Sequence, residues 1–353
     1  MRLAASADLH GHIYKEFNDK SDITGSTRLD HIVASLSYIR TWCKENGINY
    51  FLFSGDLYHV RGRVDTVVFN AIYDEIEKFY GDGIEVIMIA GNHDQYDNSD
   101  VPENSIHAFK KLKDVWVYDT VGTHMISGEN GLVELVLAPY SKNAQLVKDF
   151  IAGVEKKDIP QILLFHLGVS GAFVGSGNYP MADAFDVEDL RPDIFKYIIG
   201  GHFHKAQKIG GYEHVFYCGA PLEHSFGDEG EDKGFWVVDT SKRYDIDFVP
   251  IPSPKFHTIT GHPTAVHDEL LRELAANGDY VRFVVTPEQL EAYQQGLIPA
   301  NLLYKVELRR EYVEQERSDV KIGMGFEEIV SKYADENNPE AKEVGLELIR
   351  SVM

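Results

Sequence analysis

Three short apolar runs near the start of the chain, residues 3–7, 50–54 and 85–90, are separated by stretches of helical periodicity, and this pattern leaves few folds open. The third run, Glu-Val-Ile-Met-Ile-Ala, has no polar alternation, which suits a strand in a sheet covered on both faces. Between the runs, residues 30–46 place Ile32, Leu36, Ile39 and Cys43 on one helical face, and residues 64–80 read as a second helix. The opening is βαβαβ.

The pattern continues with a helix near residues 106–112, strands at 115–118 and 132–138, a helix at 144–156, a strand at 161–165, and a run at 197–199 that enters Gly200-Gly201-His202. Short strands with tight turns follow at 214–218, 234–239 and 245–249, and read as a second, antiparallel-leaning sheet. The expected fold is α/β, two sheets packed together with helices outside. Pro250-Ile251-Pro252-Ser253-Pro254 marks a boundary, because three prolines in five residues cannot continue a central strand and form a stiff connector. Beyond it, residues 280–286 and 301–311 read as strands, 287–295 as a helix and 326–352 as one or two helices. The expected organisation is a main domain at 1–250, a smaller α+β capping domain at 255–322 and a helical segment at 323–353. The tail carries no cluster of metal-ligand residues, so capping, substrate guidance or partner binding is its expected work.

Composition narrows the class. With 353 residues, 44% of them hydrophobic, core burial is not limiting. Cys43 and Cys218 lie far apart and form no CxxC or disulfide framework, which points to a reducing compartment. The first residues are apolar for too short a stretch to be a signal peptide, and no run approaches the roughly 18 apolar residues of a spanning helix. A cytoplasmic protein without a membrane partner is expected. A formal charge of -22 argues against gripping nucleic acid by a broad basic surface, since that mode replaces condensed counterions with Lys and Arg. Bound cations or a basic partner can offset the acidity, so a DNA substrate stays open.

Polar islands stand at the ends of the apolar runs: Asp8-Leu9-His10, Gly55-Asp56, Gly91-Asn92-His93-Asp94, His166, and Gly201-His202-Phe203-His204. Asp8 and His10 are two apart, so an extended backbone projects both to one face. Asp56 fits a bridging carboxylate, because two cations about 4 Å apart need an anion between them. Asn92 offers a carbonyl oxygen, His93 points toward substrate, and Asp94 is placed to orient or polarise the His93 imidazole. His202 and His204 repeat the two-residue spacing behind a glycine that lets the backbone come close. This mixed nitrogen and oxygen set suits Mn, Fe or Zn better than Mg or Ca. It reads as a two-metal phosphoesterase.

In this order the islands resemble the calcineurin-like metallophosphoesterase superfamily over about residues 1–250. Gly55-Asp56-Leu57-Tyr58-His59 lacks the Asp-Arg-Gly continuation of the protein Ser/Thr phosphatases, while residues 219–235 and the stretch from Gly325 are similar to SbcD-type nucleases and their Mre relatives, in the compact form that phages encode. The resemblance implies one metal held by Asp8, His10, Asp56 and His204, and another by Asp56, Asn92, His166 and His202, with Asp56 shared. It implies two Mn ions, with Mg, Fe or Zn as substitutes. It further implies a metal-activated water attacking a DNA phosphodiester, His93 as acid or transition-state stabiliser, and His59 lining the substrate side. The expected partners are DNA, an SbcC-like coiled-coil ATPase and a second copy of the chain, in recombination and repair. Gly11-His12 stand where many relatives have Leu-Gly, so His12 either competes as a ligand or sits behind the ligands, the second being the expectation. His31, His107, His124, His214, His224, His257, His262 and His267 are expected to be surface or capping residues. The rival reading keeps the metals but takes a small phosphoester or nucleotide as substrate; the large region after Pro254 and residues 219–235 argue against it. A metal-bound scaffold without activity is disfavoured because every expected ligand is present.

Overall fold

The computed structural model describes residues 1–97, 103–128, 131–174, 179–180, 185–261, 263, 267–291, 298–309 and 325–352. His262, residues 292–295 of the expected helix and residues 310–311 of the expected strand lie outside them. The chain forms two compact units, Met1–Glu307 and Leu308–Met353, divided one residue before the end of the strand at 303–308.

In chain order the first unit contains β1 (Arg2–Ser6), α1 (Thr27–Glu45), β2 (Tyr50–Phe53), α2 (Thr66–Gly81), β3 (Glu85–Ile89), β4 (Val115–Tyr118), β5 (Gly122–Gly128), β6 (Gly131–Ala138), α3 (Ala144–Ala152), β7 (Gln161–His166), a small hairpin of β8 (Phe173–Val174) and β9 (Tyr179–Pro180), β10 (Tyr197–Gly201), β11 (Gln207–Lys208), β12 (Val215–Tyr217), β13 (Gly234–Asp239), β14 (Asp245–Pro250), β15 (Phe256–Thr260), α4 (Asp268–Asn277), β16 (Tyr280–Val285), α5 (Pro287–Glu291) and β17 (Leu303–Leu308). One six-stranded sheet has the order β14-β13-β1-β2-β3-β4, the other β11-β12-β10-β7-β6-β5, and a three-stranded sheet is β15-β16-β17.

The lack of alternation in the early strands has a direct cause. Leu3, Ala5, Leu52, Ile87 and Ile89 face Leu135, Leu137, Ile162, Leu164 and Ile199 of the other sheet, forming the interior of the sandwich. Their neighbours Ala4, Phe51, Phe53, Val86 and Met88 turn outward onto Leu29, Ile32, Leu36 and Ile39 of α1 and Val68, Ile72, Ile76 and Phe79 of α2. Each early strand therefore buries both faces. The outer face of the second sheet is covered in the same way, with Leu163, Phe165 and Ile198 against Val147 and Ile151 of α3. α1 starts three residues before its expected position because Ser26 caps it, its hydroxyl accepting from Leu29 N at 3.2 Å. α3 stops at Ala152 where Gly153 caps it, and the short helix near residue 106 is a 3-10 turn at His107–Lys111.

One expectation is corrected. The strands after Gly201 do not make an antiparallel sheet of their own: β12 joins the second sheet parallel to β10, while β13 crosses back to pair antiparallel with β1 and carries β14 with it. β13 can enter there because Phe235 and Val237 feed the helix-facing core while Val238 feeds the inter-sheet core. Sequence reading also passed over β5, β15 and α4. In the second unit, α6 (Phe326–Asn337) and α7 (Lys342–Val352) are tied by Arg350 Nη2 and Glu327 Oε2 at 2.6 Å. Among the described residues no helix is long and apolar enough to cross a membrane.

Candidate metal centre

β1, β2 and β3 run parallel and end side by side, so the residues that follow them, Asp8, Asp56 and Asn92, collect at one edge of the first sheet. β7 and β10 are also parallel and bring His166 and Gly201-His202 to the same place from the second sheet. The backbone stays paired past the strands, with Asp8 N donating to Gly55 O at 2.9 Å and His10 N to Asp56 O at 3.1 Å. Asp8, His10, Asp56 and His202 all have positive φ, at 53°, 46°, 59° and 109°. Such backbone costs a non-glycine residue about 1–3 kcal/mol and persists where surrounding structure enforces it, typically at functional sites. Close approach requires glycine at position 91: a Cβ there would stand 2.2 Å from Asp56 Oδ1 and 2.3 Å from Asp56 N.

Among the described residues, three groups of side chains converge closely enough to hold a metal ion: Asp8, His10 and His204; Asp8, Asp56 and His166; and His10, His59 and His93. Asp56 Oδ2 lies 3.6 Å from His10 Nε2 and 3.4 Å from His166 Nε2, between imidazoles supplied by different sheets. Asn92 Oδ1 is 3.1 Å from both His166 Nε2 and His202 Nδ1. The His166 tautomer follows from its other nitrogen. Nδ1 stands 2.6 Å from the Ser54 carbonyl, which can only accept, so Nδ1 carries a proton. Nε2 of a neutral His166 then presents a lone pair to two oxygens that also present lone pairs. That arrangement needs a cation among them, and the donor set fits a divalent metal of the Mn, Fe or Zn kind.

Electrostatics agree. Burial alone would lower His166, but the Asp56 carboxylate raises it to about 9. Asp56 is opposed by its burial yet falls below the usual carboxylate range because His166 and His10 face it. A proton thus substitutes for the cation. Burial pushes Asp8 up to about 6, and lowers His10, His59 to about 4 and His224 to about 3. Imidazoles kept neutral in this way are in the form that binds metal.

The structure brings the expected side chains to this edge, and the partners of Asp94 and His93 depart from expectation while His12 stays behind the ligands. Asp94 does not orient the His93 imidazole: its carboxylate accepts from the backbone N–H groups of Asp56, Leu57, Tyr58 and Gly91, at 2.9, 2.9, 3.2 and 2.9 Å. It ties the second and third loops together, and burial, with the nearby Asp56 charge, raises it to about 7. His93 is oriented instead by the His59 carbonyl, 2.6 Å from Nδ1, which leaves Nε2 as its remaining nitrogen. His12 belongs to none of the three groups; its ring packs against Tyr14 and His59, with centroids 5.1 and 5.2 Å away.

His224, expected at the surface, is buried beside the centre: its Nε2 is 3.1 Å from Asp8 O, and its ring is 5.4 Å from those of His10 and His204. Asp228 also escaped the sequence reading, and its Oδ1 is 3.2 Å from His204 Nδ1. Both belong to residues 219–235, whose chemical content was hidden because neither residue sits at a strand end.

The family model for calcineurin-like phosphoesterases matches residues 1–206. Exonuclease subunit 1 of Enterobacteria phage T4 is 26% identical over 227 residues, 63% of this chain and 61% of that protein, so the match spans less than two thirds of the relative's length. The SbcD component of the SbcCD nuclease of Escherichia coli K12 is 49% identical over 56 residues, 16% of this chain and 14% of that one. A dimetal phosphatase from Danio rerio overlays with a TM-score of 0.36 at 8% identity, over 67% of this chain and 91% of that chain.

Proposed function

The chain belongs to the calcineurin-like phosphoesterases, and from that premise we propose that it is a two-metal phosphodiesterase acting on DNA, as the nuclease subunit of an SbcCD-like complex in the cytoplasm. The observation that carries the metal part is Asp56 Oδ2, placed between His10 Nε2 at 3.6 Å and His166 Nε2 at 3.4 Å. In this reading Asp8, His10, Asp56 and His204 hold one cation, and Asp56, Asn92, His166 and His202 hold the other, with Mn the working ion. Two divalent cations so held supply Lewis-acid activation of water and neutralise charge on the phosphodiester. The remaining work falls to the side chains. His93, its Nδ1–H held by the His59 carbonyl, would act as the imidazolium, giving its Nε2 proton to the leaving oxygen and returning to the neutral Nδ1–H ring. His59, stacked 5.7 Å from His93, lines the substrate side of the same wall.

The DNA part is supported by the relatives named as an exonuclease subunit and a nuclease subunit. A net charge of -22 supports a division of labour, in which an SbcC-like coiled-coil ATPase supplies grip on the duplex and a second copy of the chain completes the complex. Residues 1–250 would then carry the chemistry, 255–322 cap and guide DNA, and 323–353 bind the ATPase, offering exposed Phe326 and Val344. The purified chain with Mn2+ should degrade linear duplex DNA. His93→Ala should slow it by about 100- to 10,000-fold, the range for loss of a general acid. Hydrolysis confined to mononucleotides or other small phosphoesters would overturn the DNA assignment and leave the metal chemistry standing.

A further inference from the structure

Asp228 is 4% exposed and gathers an unusual number of donors for a residue in a loop. Its Oδ2 accepts from His224 N at 3.1 Å and Ser225 N at 3.0 Å, while its Oδ1 faces Lys233 Nζ and His204 Nδ1, each at 3.2 Å. Backbone amides and an ammonium group can only donate, so Asp228 stands in this network as an acceptor. The His204 nitrogen that meets it must therefore carry the proton. Nε2 is left as the lone pair of His204, the ring that shares a group with Asp8 and His10. Lys233 secures the arrangement, reaching His204 O at 2.8 Å and Glu231 Oε2 at 2.8 Å.

We infer that Asp228 is a positioning residue for the metal centre: it fixes the His204 tautomer and ring so that Nε2 can serve as a ligand, and through the His224 amide it holds that neighbouring ring against the Asp8 carbonyl. The inference rests on the two-metal reading above and deepens it. Asparagine is the sharpest probe, because it keeps the shape while its amide can turn NH2 toward His204. Donor would then meet donor, and the imidazole would move its proton to Nε2, where a metal should bind. Loss of a carboxylate behind a ligating histidine typically weakens metal affinity by about 10- to 100-fold.

The test is Mn2+ binding to the full chain by calorimetry, comparing wild type, Asp228→Asn and Glu231→Gln. Glu231→Gln disturbs the same buried ion cluster through Lys233 without touching His204, so it reports the purely structural effect. The inference predicts that Asp228→Asn weakens one of two Mn2+ sites by about 10- to 100-fold, while Glu231→Gln keeps both. If Asp228→Asn retains both sites at wild-type affinity, or if the two variants lose affinity equally, the inference is overturned. A wild-type chain that binds no Mn2+ would overturn the two-metal reading itself, a distinct result. Should Asp228→Asn fail to fold, the imidazole nitrogen shifts of His204 in the metal-free wild type, read at a pH high enough to make the ring neutral, decide: Nδ1–H supports the inference, and Nε2–H overturns it.

Discussion

Asp56 and His204 face the same centre, yet they are held there by different kinds of force. Asp56 is fixed by backbone: a positive φ, a neighbouring glycine packed against it, and an amide bonded to buried Asp94. Its own Oδ1 accepts from His93 N at 2.8 Å, so two loops constrain it without any long side chain. His204 is fixed by side chains: Asp228 meets its Nδ1, and the buried Lys233 holds its carbonyl. The contrast teaches that one metal centre can fail in two ways. Strand-end donors should be sensitive to bulk added at the glycines beside them, and the His204 side to loss of the charges behind it.

The largest effect is expected on the charged side. Lys233→Met leaves the Asp228 and Glu231 carboxylates buried without their cation, and breaking such a pair costs about 3–5 kcal/mol. Urea denaturation should register it, and adding Asp228→Asn and Glu231→Gln to the same chain should recover much of the loss. A single variant as stable as wild type would remove the distinction. On the backbone side, Gly91→Ala introduces a Cβ against Asp56 N, which cannot swing away. A cost of about 1–3 kcal/mol is expected, together with weakened Mn2+ binding at both sites if the displaced carboxylate serves the two cations as proposed.

The third prediction concerns protons. His166 is raised from 6.5 to about 9 by facing Asp56, against the opposing effect of burial, so its contribution to the metal-free fold is complete below pH 6.5 and lost as pH rises through about 9. Asp8 at about 6 and Asp94 at about 7, both raised by burial, act in the same direction, their contributions fading as pH rises through those values. From about pH 6.5 to pH 9, where the lowered His10, His59 and His224 no longer add stability with rising pH, the thermal midpoint of the metal-free chain should therefore fall. At about pH 7.5 cation uptake should expel the His166 proton, giving a binding enthalpy that depends on the buffer's ionisation enthalpy. A buffer-independent enthalpy would contradict the Asp56–His166 pair.

The same contrast explains what could be read from the sequence. Asp8, Asp56, Asn92, His166 and His202 were legible because each ends or follows a buried strand, and parallel strands that end together must bring such residues together. His224 and Asp228 follow no strand, and their placement depends on a loop whose course is set by the ion cluster around Lys233. Asp94 was assigned to the wrong partner for a related reason: adjacency to His93 says nothing of side-chain direction, and four backbone amides outcompeted one imidazole. The return of β13 to β1 escaped for want of any local signal, since a strand buried on both faces carries no mark of the sheet it joins.

The central claim is that Asp56 is shared by two cations, and Mn2+ titration of Asp56→Ala against wild type tests it most directly. The account predicts two sites per chain in the wild type and the weakening of both in the variant. A variant that loses one site and keeps the other at full affinity would contradict it.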